Sequence, residues 1–353
     1  MVDIIGFFGY FWAFIFFFFN IIVLTLQAKH SYKLKHNESF YSLCLCVGTL
    51  VVNLILVLIF IEFDLILSLV VIGTGVIIFS LFGLFNLFHH HSVRRKGDVQ
   101  EKKLDLADRE NVHHEFYRKI YHIILFFGII AFLTIIWAIM VRLNEKGYDL
   151  QELIDVYWGS LDGLGMHVLR TPDYGQAILL DLYIIMTTVF VMNEGARIGN
   201  WFYFPLQKLA SLGIREKEKE TVASYVYFTI GMIFASTFLY PIPLFSIIGI
   251  LCFADTAASL FGRKYGKHRL QFNKTKSWEG SLAGFLVCLL VTVLFVGPIW
   301  GLVASIVFFV IDGITPVLSL SDNIGIPIGV TGAYLLLSFL QIEMHSIVFA
   351  GIL

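Results

Sequence analysis

The sequence has little charge for its length and few cysteines. Only 14% of its 353 residues are aspartate, glutamate, lysine or arginine, whereas soluble domains carry about 25%. The formal net charge is −1, so no excess of positive charge indicates a nucleic-acid partner. The four cysteines all lie inside apolar runs, which fits buried thiols and offers neither a disulfide framework nor a C-x-x-C metal site.

Apolar residues dominate the composition. They make up 58% of the chain, phenylalanine alone accounts for 35 residues, and the mean hydropathy is +0.81. A helix that spans a bilayer needs roughly 17 to 25 mostly apolar residues. We therefore predict an all-α multipass integral membrane protein with about ten transmembrane helices, near residues 4–26, 41–61, 65–88, 120–141, 176–192, 222–240, 244–261, 280–298, 300–318 and 324–340. The first run lacks a basic flank and a cleavage site, so we expect it to be retained.

Basic residues are distributed unevenly between the predicted loops. Of the 25 lysines and arginines, 22 lie in the loops after the first, third, fifth and seventh helices. The other three, Arg142, Lys146 and Arg170, share one loop on the opposite side. Since loops rich in lysine and arginine stay in the cytoplasm, we predict that these four loops are cytoplasmic and that both termini lie on the other side.

A polar stretch over residues 89–119 divides the chain. It carries charges of both signs and has the composition of a surface helix with a linker. We predict an N-terminal three-helix membrane module with a cytoplasmic linker over residues 1–111. Residues 112–353 would form a second membrane part, which carries all the motifs described below.

The most informative stretch runs over residues 254–285. Four of its residues share one narrow helix face, at helical spacing: Asp255, Ala258, Ser259 and Gly262. A basic loop follows, in which Gly262 and Gly266 permit tight backbone turns, and then Ser277 occupies an N-cap position with Glu279 in the first turn. An acid, a basic loop and a free helix N-terminus suit a polyphosphate and its metal ion. A basic loop that merely anchors two membrane helices is the alternative.

Three further groups of polar residues lie at predicted membrane boundaries. One stripe at the start of the fourth helix carries Glu115, Arg118, Lys119 and His122. Asp312 lies inside an apolar run, before Pro316, which we expect to bend the helix, and intramembrane acids are often functional. Asp322 and Asn323 follow at the mouth of the next helix. A fourth pair, Glu194 and Arg197, is predicted to be an internal ion pair, with contact to nucleotide or metal as the alternative.

Several of these motifs resemble those of one family. The segments DTAASLFGRKYGKHRL, NKTKSWEGS and DNIGIPI, together with R-K-x-x-H, are similar to motifs of the polyprenol kinases. That family includes dolichol kinase, phytol kinase and the CTP-dependent diacylglycerol kinases, and the likeness covers residues 112–340. Its members are multipass membrane enzymes that phosphorylate a lipid alcohol, usually with CTP. One departure is Asp312, where the family often has glutamate.

The resemblance implies phosphoryl transfer, which requires positioned basic side chains and a divalent metal. We expect Asp255, Asp312 and Asp322 to be the catalytic carboxylates, with Asp255 and Asp322 holding Mg²⁺. The sequence does not decide which of them would accept the proton of the alcohol. Contacts to CTP are expected from Arg118, Lys119, His122, Gly262, Arg263, Gly266, Lys274, Lys276, Ser277, Glu279 and Asn323. No G-x-x-x-x-G-K-[ST] loop is present, which excludes a P-loop kinase.

The implied partners are a soluble nucleotide and a lipid alcohol in the bilayer, which would meet at the cytoplasmic face. Phytol, dolichol, another polyprenol and diacylglycerol all remain candidate lipids, and the segment NKTKSWEGS favours an isoprenoid alcohol. A phosphatidate cytidylyltransferase is an alternative, although the serine–arginine–KD signature of that family is missing. A multipass transporter is a further alternative of another class, but no second, similar half is evident.

Overall fold

The computed structural model describes residues 2–61, 65–96, 112–148, 174–199, 201, 203–205, 214 and 218–347. Regular structure in these ranges is helical, and the antiparallel bridge between Arg269 and Ser277 is isolated. The helices are α1 Val2–Lys33, α2 Asn37–Phe60, α3 Leu65–Lys96, α4 Val112–Glu145, α5 Tyr174–Arg197, α6 Ser224–Phe238, α7 Pro241–Gly249, α8 Asp255–Tyr265, α9 Trp278–Val296, α10 Pro298–Ile314 and α11 Asp322–Phe339. A π-helical turn, Ile250–Ala254, joins α7 to α8.

Within the described residues, seven helical segments are long and apolar enough to cross a membrane. They are Ile5–Lys33, Asn37–Ile59, Leu67–Phe88, Phe126–Glu145, Gly175–Arg197, Pro241–Tyr265 and Trp278–Val296. Helices α6 and α10 are also apolar but shorter. The predicted all-α multipass membrane fold is confirmed, whereas the number of ten crossings stays a prediction.

The outer surface of the bundle is apolar. On α9, for example, four leucines at four-residue intervals form one exposed stripe: Leu282, Leu286, Leu290 and Leu294. Between 45% and 69% of each of these side chains is exposed. Because burial of apolar surface away from water is favourable, such a stripe suits contact with lipid chains.

Helix α10 ends earlier than predicted. It stops at Ile314, so the expectation that it continues to residue 318 and bends at Pro316 is wrong. Proline has no N–H to continue the helical ladder, and the chain turns instead, with Leu320 N donating to Thr315 O at 2.9 Å. Pro327, in contrast, lies inside α11, where its ring packs so close to Gly231 that a Cβ there would lie 2.9 Å from the proline Cγ.

Buried hydrogen bonds join α1 and α2 to the rest of the bundle. Asn20 of α1 donates to Thr188 Oγ1 of α5 at 2.9 Å. At the start of α2, the Ser39 hydroxyl lies 3.1 Å from the hydroxyl of Tyr227 on α6. Polar groups buried among apolar helices are costly unless paired, so these bonds fix α1 and α2 in one position against α5 and α6.

Glu194 and Arg197 form the predicted internal pair. Arg197 Nη2 lies 2.5 Å from Glu194 Oε2, and the two side chains are 10% and 1% exposed. The same guanidinium donates to the carbonyl oxygens of Glu218 at 3.0 Å, Lys219 at 2.7 Å and Thr221 at 2.6 Å. The pair therefore holds the segment before α6 against the end of α5.

Candidate functional site

A polar cavity of about 510 Å³ lies where several helix ends meet. One face of α8, the end of α10 and the starts of α2, α9 and α11 contribute to its wall. The charged residues that line it are Glu38, Asp255, Arg263, Arg269, Lys276, Asp312 and Asp322. In a bundle whose outer surface is apolar, this concentration of charge marks the candidate site.

Three aspartates from three helices come together in this cavity. Asp255 is the first residue of α8, Asp312 lies near the end of α10, and Asp322 is the first residue of α11. One carboxylate oxygen of each lies within 4.8 Å of the others. Such a set of oxygen donors suits a hard divalent cation such as Mg²⁺.

The buried state of Asp312 adds to that fit. Its residue is 1% exposed, and its Oδ2 atom has no hydrogen-bond partner among the described residues. A buried polar atom without a partner is costly, and a bound cation would satisfy it. Asp255 is 6% exposed and directly follows the π-helical turn, a feature that is frequent at functional sites.

Lys276 supplies the positive charge beside these carboxylates. Its Nζ lies 2.5 Å from Asp312 Oδ1 and 3.9 Å from Asp322 Oδ2. Burial by itself would lower the pKa of Lys276, but the charges of Asp312, Asp322 and Asp255 outweigh burial and raise that pKa above the usual lysine value. Lys276 is therefore an ammonium cation throughout the physiological pH range.

The loop before α9 is held in place by its own polar residues. Asn273, which is 4% exposed, donates to the carbonyl oxygen of Gly313 at the end of α10, at 2.8 Å. Leu270 N donates to Lys276 O at 3.1 Å. Ser277 then caps α9, where its hydroxyl accepts a hydrogen bond from Gly280 N at 3.2 Å, as its N-cap position predicts. These bonds place Lys276 against Asp312.

Small residues allow α8 and α9 to touch through their backbones. A Cβ added to Gly280 would lie 2.7 Å from Ala258 O and 2.8 Å from the Cα of Gly262. Gly266 is equally confined, because a Cβ there would lie 2.5 Å from Ser277 Oγ. The close crossing brings the Asp255 helix next to the start of α9.

The structure brings most, but not all, of the predicted site residues together. The cavity is lined by Asp255, Gly262, Arg263, Lys276, Ser277, Asp312 and Asp322. Glu279 is directed elsewhere, since its Oε1 lies 2.7 Å from His268 Nδ1. Lys274 is exposed and is not part of the described lining, and Gly266 serves the helix crossing.

Four other predicted residues are not among the described residues that line this cavity. Asn323 lines a smaller polar pocket beside the cavity. Arg118, Lys119 and His122 lie on α4, and their side chains fall outside the part of the chain that the structure describes. Their predicted phosphate contacts stay predictions.

Several lining residues were not predicted as site residues, among them Arg269, Glu38 and Thr315. Glu38 comes from the first turn of α2, in a part of the chain without any recognisable motif, and only the tertiary packing brings it to the cavity. Thr315 lies just beyond α10, one turn from Asp312. The signal for Thr315 was its proximity to that intramembrane acid, whereas Glu38 had no local signal.

Comparison with known proteins finds relatives among lipid kinases. A segment of 113 residues is 34% identical to the phytol kinase of Synechocystis sp. and covers 29% of this chain and 48% of that protein. A segment of 100 residues is 31% identical to CTP-dependent diacylglycerol kinase 1 of Saccharomyces cerevisiae, with coverages of 28% and 34%. The chloroplastic phytol kinase 1 of Arabidopsis thaliana is 27% identical over 73 residues, with coverages of 20% and 24%.

These similarities are partial. The matches span less than half the length of these curated relatives. No family model and no solved structure matches the chain. Within those limits, the resemblance to the polyprenol kinase family that the motifs predict is confirmed by relatives that are phytol and diacylglycerol kinases.

Proposed function

We propose that this protein is a CTP-dependent kinase that transfers the γ-phosphate to the hydroxyl of a membrane lipid alcohol. The observation that carries the proposal is the meeting of Asp255, Asp312, Asp322 and Lys276 in one cavity at the ends of membrane helices. Phosphoryl transfer depends mainly on positioning and on neutralisation of charge. The names of the relatives support a kinase that acts on a lipid, with CTP as donor.

The charge of the cavity calls for a divalent cation. Its described lining has four acidic residues and three basic ones, so the cavity alone would repel a triphosphate. Asp255 and Asp322 would hold Mg²⁺, and the orphaned oxygen of Asp312 would complete the donor set. When bound, the cation would neutralise negative charge on the phosphates.

The basic residues of the lining would orient the phosphate groups. Arg263 and Arg269 can each pair with phosphate oxygens in a forked geometry. Lys276, already an ammonium cation beside Asp312, would add a point charge. The start of α9 at Ser277 contributes the partial positive charge of a helix N-terminus.

A carboxylate of the cavity would accept the proton of the lipid hydroxyl. The three aspartates are the candidates, because a general base must lie within hydrogen-bond reach of the group that it deprotonates. The cavity lies at the ends of helices that face lipid, so a hydroxyl at the bilayer surface can approach it. We place this face of the bundle in the cytoplasm, where CTP is available and where the basic loops predict it.

A lipid panel tests the proposal. Purified protein in lipid nanodiscs is supplied with Mg²⁺, CTP or ATP, and one of phytol, dolichol or diacylglycerol. We expect phosphorylation with CTP to exceed phosphorylation with ATP, and an isoprenoid alcohol to be the best acceptor. Equal or faster transfer from ATP would contradict the assignment of CTP as the donor. Transfer to diacylglycerol alone would contradict the assignment of an isoprenoid alcohol as the acceptor.

A further inference from the structure

We propose that a small pocket beside the cavity binds the base of the nucleotide and selects cytosine. The pocket has a volume of about 90 Å³ and lies between the start of α2, residues 218–224 and the start of α11. Glu38 and Asp322 line both this pocket and the larger cavity, so the two spaces adjoin. The inference rests on the proposed function, because the phosphates are assigned to the larger cavity.

Hydrogen bonds keep the three walls of this pocket in fixed positions. Ser42 of α2 accepts a hydrogen bond from Ser321 N, directly before α11, at 2.8 Å. Ser39 of α2 bonds to Tyr227 of α6 at 3.1 Å. The third wall is held by Arg197, whose guanidinium binds three carbonyl oxygens between residues 218 and 221. Pockets that recognise small ligands are usually preformed in this manner.

The dimensions of the pocket favour a single ring. The larger cavity has about 510 Å³ for the phosphates and the reacting hydroxyl, whereas the side pocket has about 90 Å³. A pyrimidine is flat and monocyclic, while a purine carries a second fused ring. We therefore expect ATP and GTP to be disfavoured by size, before any hydrogen bond is considered.

The polar lining then distinguishes cytosine from uracil. Three carboxylates line the pocket, Glu38, Glu218 and Asp322, and the Glu218 residue is only 6% exposed. A carboxylate accepts hydrogen bonds from the exocyclic amino group of cytosine, but it would face a carbonyl oxygen in uracil. The amide of Asn323 can donate to a ring acceptor. We assign the main contact with the amino group of cytosine to Glu218, because Glu218 lines only the smaller pocket, whereas Glu38 lines both spaces.

The assignment gives a role to part of the chain without family motifs. Glu38 and Ser39 lie on α2, within the N-terminal module that we propose for residues 1–111. Glu218 follows the internal pair of Glu194 and Arg197, which thereby acts as a positioning device for the pocket wall. The nucleotide donor would thus be selected by residues outside the basic loop between α8 and α9.

The test compares donors rather than overall rates. The ratio of kcat/KM for UTP to that for CTP is measured for the wild type and for Glu218→Gln, Glu38→Gln and Glu343→Gln. A glutamine amide can donate to the uracil carbonyl, so Glu218→Gln should raise this ratio by about 10- to 100-fold. Glu343→Gln is the matched control, because Glu343 is exposed and follows the far end of α11, and it should leave the ratio unchanged.

The outcomes separate this inference from the proposed function. If phosphate is transferred but neither Glu218→Gln nor Glu38→Gln changes the ratio, the base pocket is wrong and the kinase stands. If no donor phosphorylates any lipid, the equilibrium binding of CTP and UTP is measured for the wild type and for Glu218→Gln. Loss of the preference for CTP in the variant supports the base pocket. The same preference for CTP in both proteins overturns it. The Glu38 residue is exposed, so its variant remains informative if Glu218→Gln fails to fold. Cytidine should also inhibit wild-type CTP binding more strongly than uridine, and equal inhibition would contradict cytosine selection.

Discussion

At the scale of single residues, the three aspartates of the cavity differ in their surroundings. Asp312 is almost fully buried and bonded to Lys276, whereas Asp322 is partly exposed and only 3.9 Å from the same ammonium group. The charge of Asp255 also contributes to the raised pKa of that lysine. Asp312 would therefore hold Lys276 through Oδ1 and offer Oδ2 to a cation that Asp255 and Asp322 also bind.

The first prediction concerns Asp255→Asn. The amide keeps the shape of the side chain but removes the charge that would hold Mg²⁺ against a triphosphate. Loss of one preorganised electrostatic contact commonly lowers the rate by about 10²- to 10³-fold. The amount of inserted protein should be unchanged, because an amide is less costly than a carboxylate at the membrane. Expression and CTP-dependent lipid phosphorylation are measured together, and normal expression with more than a tenth of wild-type activity would remove Asp255 from the catalytic residues.

The second prediction concerns the pH dependence of the Lys276 pair. A folded-state pKa above the usual value of about 10.4 means that the stability from this pair is complete below that pH and is lost as the pH rises through the raised pKa. Lys276→Met should leave Asp312 unpaired and cost about 3–5 kcal/mol. The difference in thermal stability between wild type and Lys276→Met should not shrink between about pH 7 and 9, because Lys276 keeps its proton there. A difference that shrinks between pH 7 and 9 would show that the lysine loses its proton there.

Local chemistry made part of the site predictable at this scale. Asp255, Asp312 and Asp322 stood out because acids inside or beside apolar runs are rare, and Ser277 because N-caps depend only on neighbouring residues. Glu279 was placed with the phosphate contacts on its position in the first turn, but the conformation of the loop directs it towards His268. Glu38 gave no local signal at all, since its place in the cavity results from packing between distant helices.

At the scale of helices, the contact between α8 and α9 determines the shape of the cavity. Asp255 begins α8 and Lys276 precedes α9. Any change in the separation of the two helices therefore alters the distance between the Asp255 carboxylate and the Lys276 ammonium group. The two helices approach at Gly262 and Gly280, with no room for a side chain. The periodicity of small residues predicted this face of α8, whereas the π-helical turn before Asp255 was not predicted.

The third prediction is that Gly280→Ala disturbs this crossing. Its Cβ would lie 2.7 Å from Ala258 O, so the backbones must separate, and overpacking of this kind costs about 1–3 kcal/mol. We expect a lower melting temperature and reduced lipid phosphorylation. Gly332→Ala on α11 is the control, because nothing lies within 4 Å of a Cβ at that position and alanine favours a helix. Equal melting temperatures for the two variants would contradict the close crossing.

At the scale of the whole molecule, the cavity lies at one end of a membrane-embedded bundle. Composition alone predicted the membrane fold, since apolar runs of sufficient length leave few other choices. The exact helix ends were less predictable: α10 stops before Pro316, and α1 continues to Lys33, beyond the predicted residue 26. Which helices meet at the cavity could not be predicted, because lipid-facing and partner-facing apolar surfaces have similar compositions.

The fourth prediction concerns the orientation of the bundle. In a Cys44→Ser background, which removes the exposed native cysteine, a cysteine at Lys267 should react with a membrane-impermeant thiol reagent only from the cytoplasmic side. A cysteine at Lys146, beyond the end of α4, should react only from the opposite side. The distribution of basic residues is the physical reason. Labelling of the residue 267 cysteine from outside intact cells would overturn the cytoplasmic placement of the cavity.

The most direct test of the central claim follows the phosphorus atoms of the donor. Purified protein in nanodiscs with a lipid alcohol and Mg²⁺ receives CTP that is labelled on either the α- or the γ-phosphate. A kinase transfers only the γ-label to the lipid and releases the α-label as CDP, and we expect this result. In Asp255→Asn, transfer of the γ-label should fall at least tenfold, because a preorganised electrostatic contact is lost. Appearance of the α-label in the lipid would show nucleotidyl transfer instead, and the absence of both labels would contradict phosphorylation of the lipid by CTP.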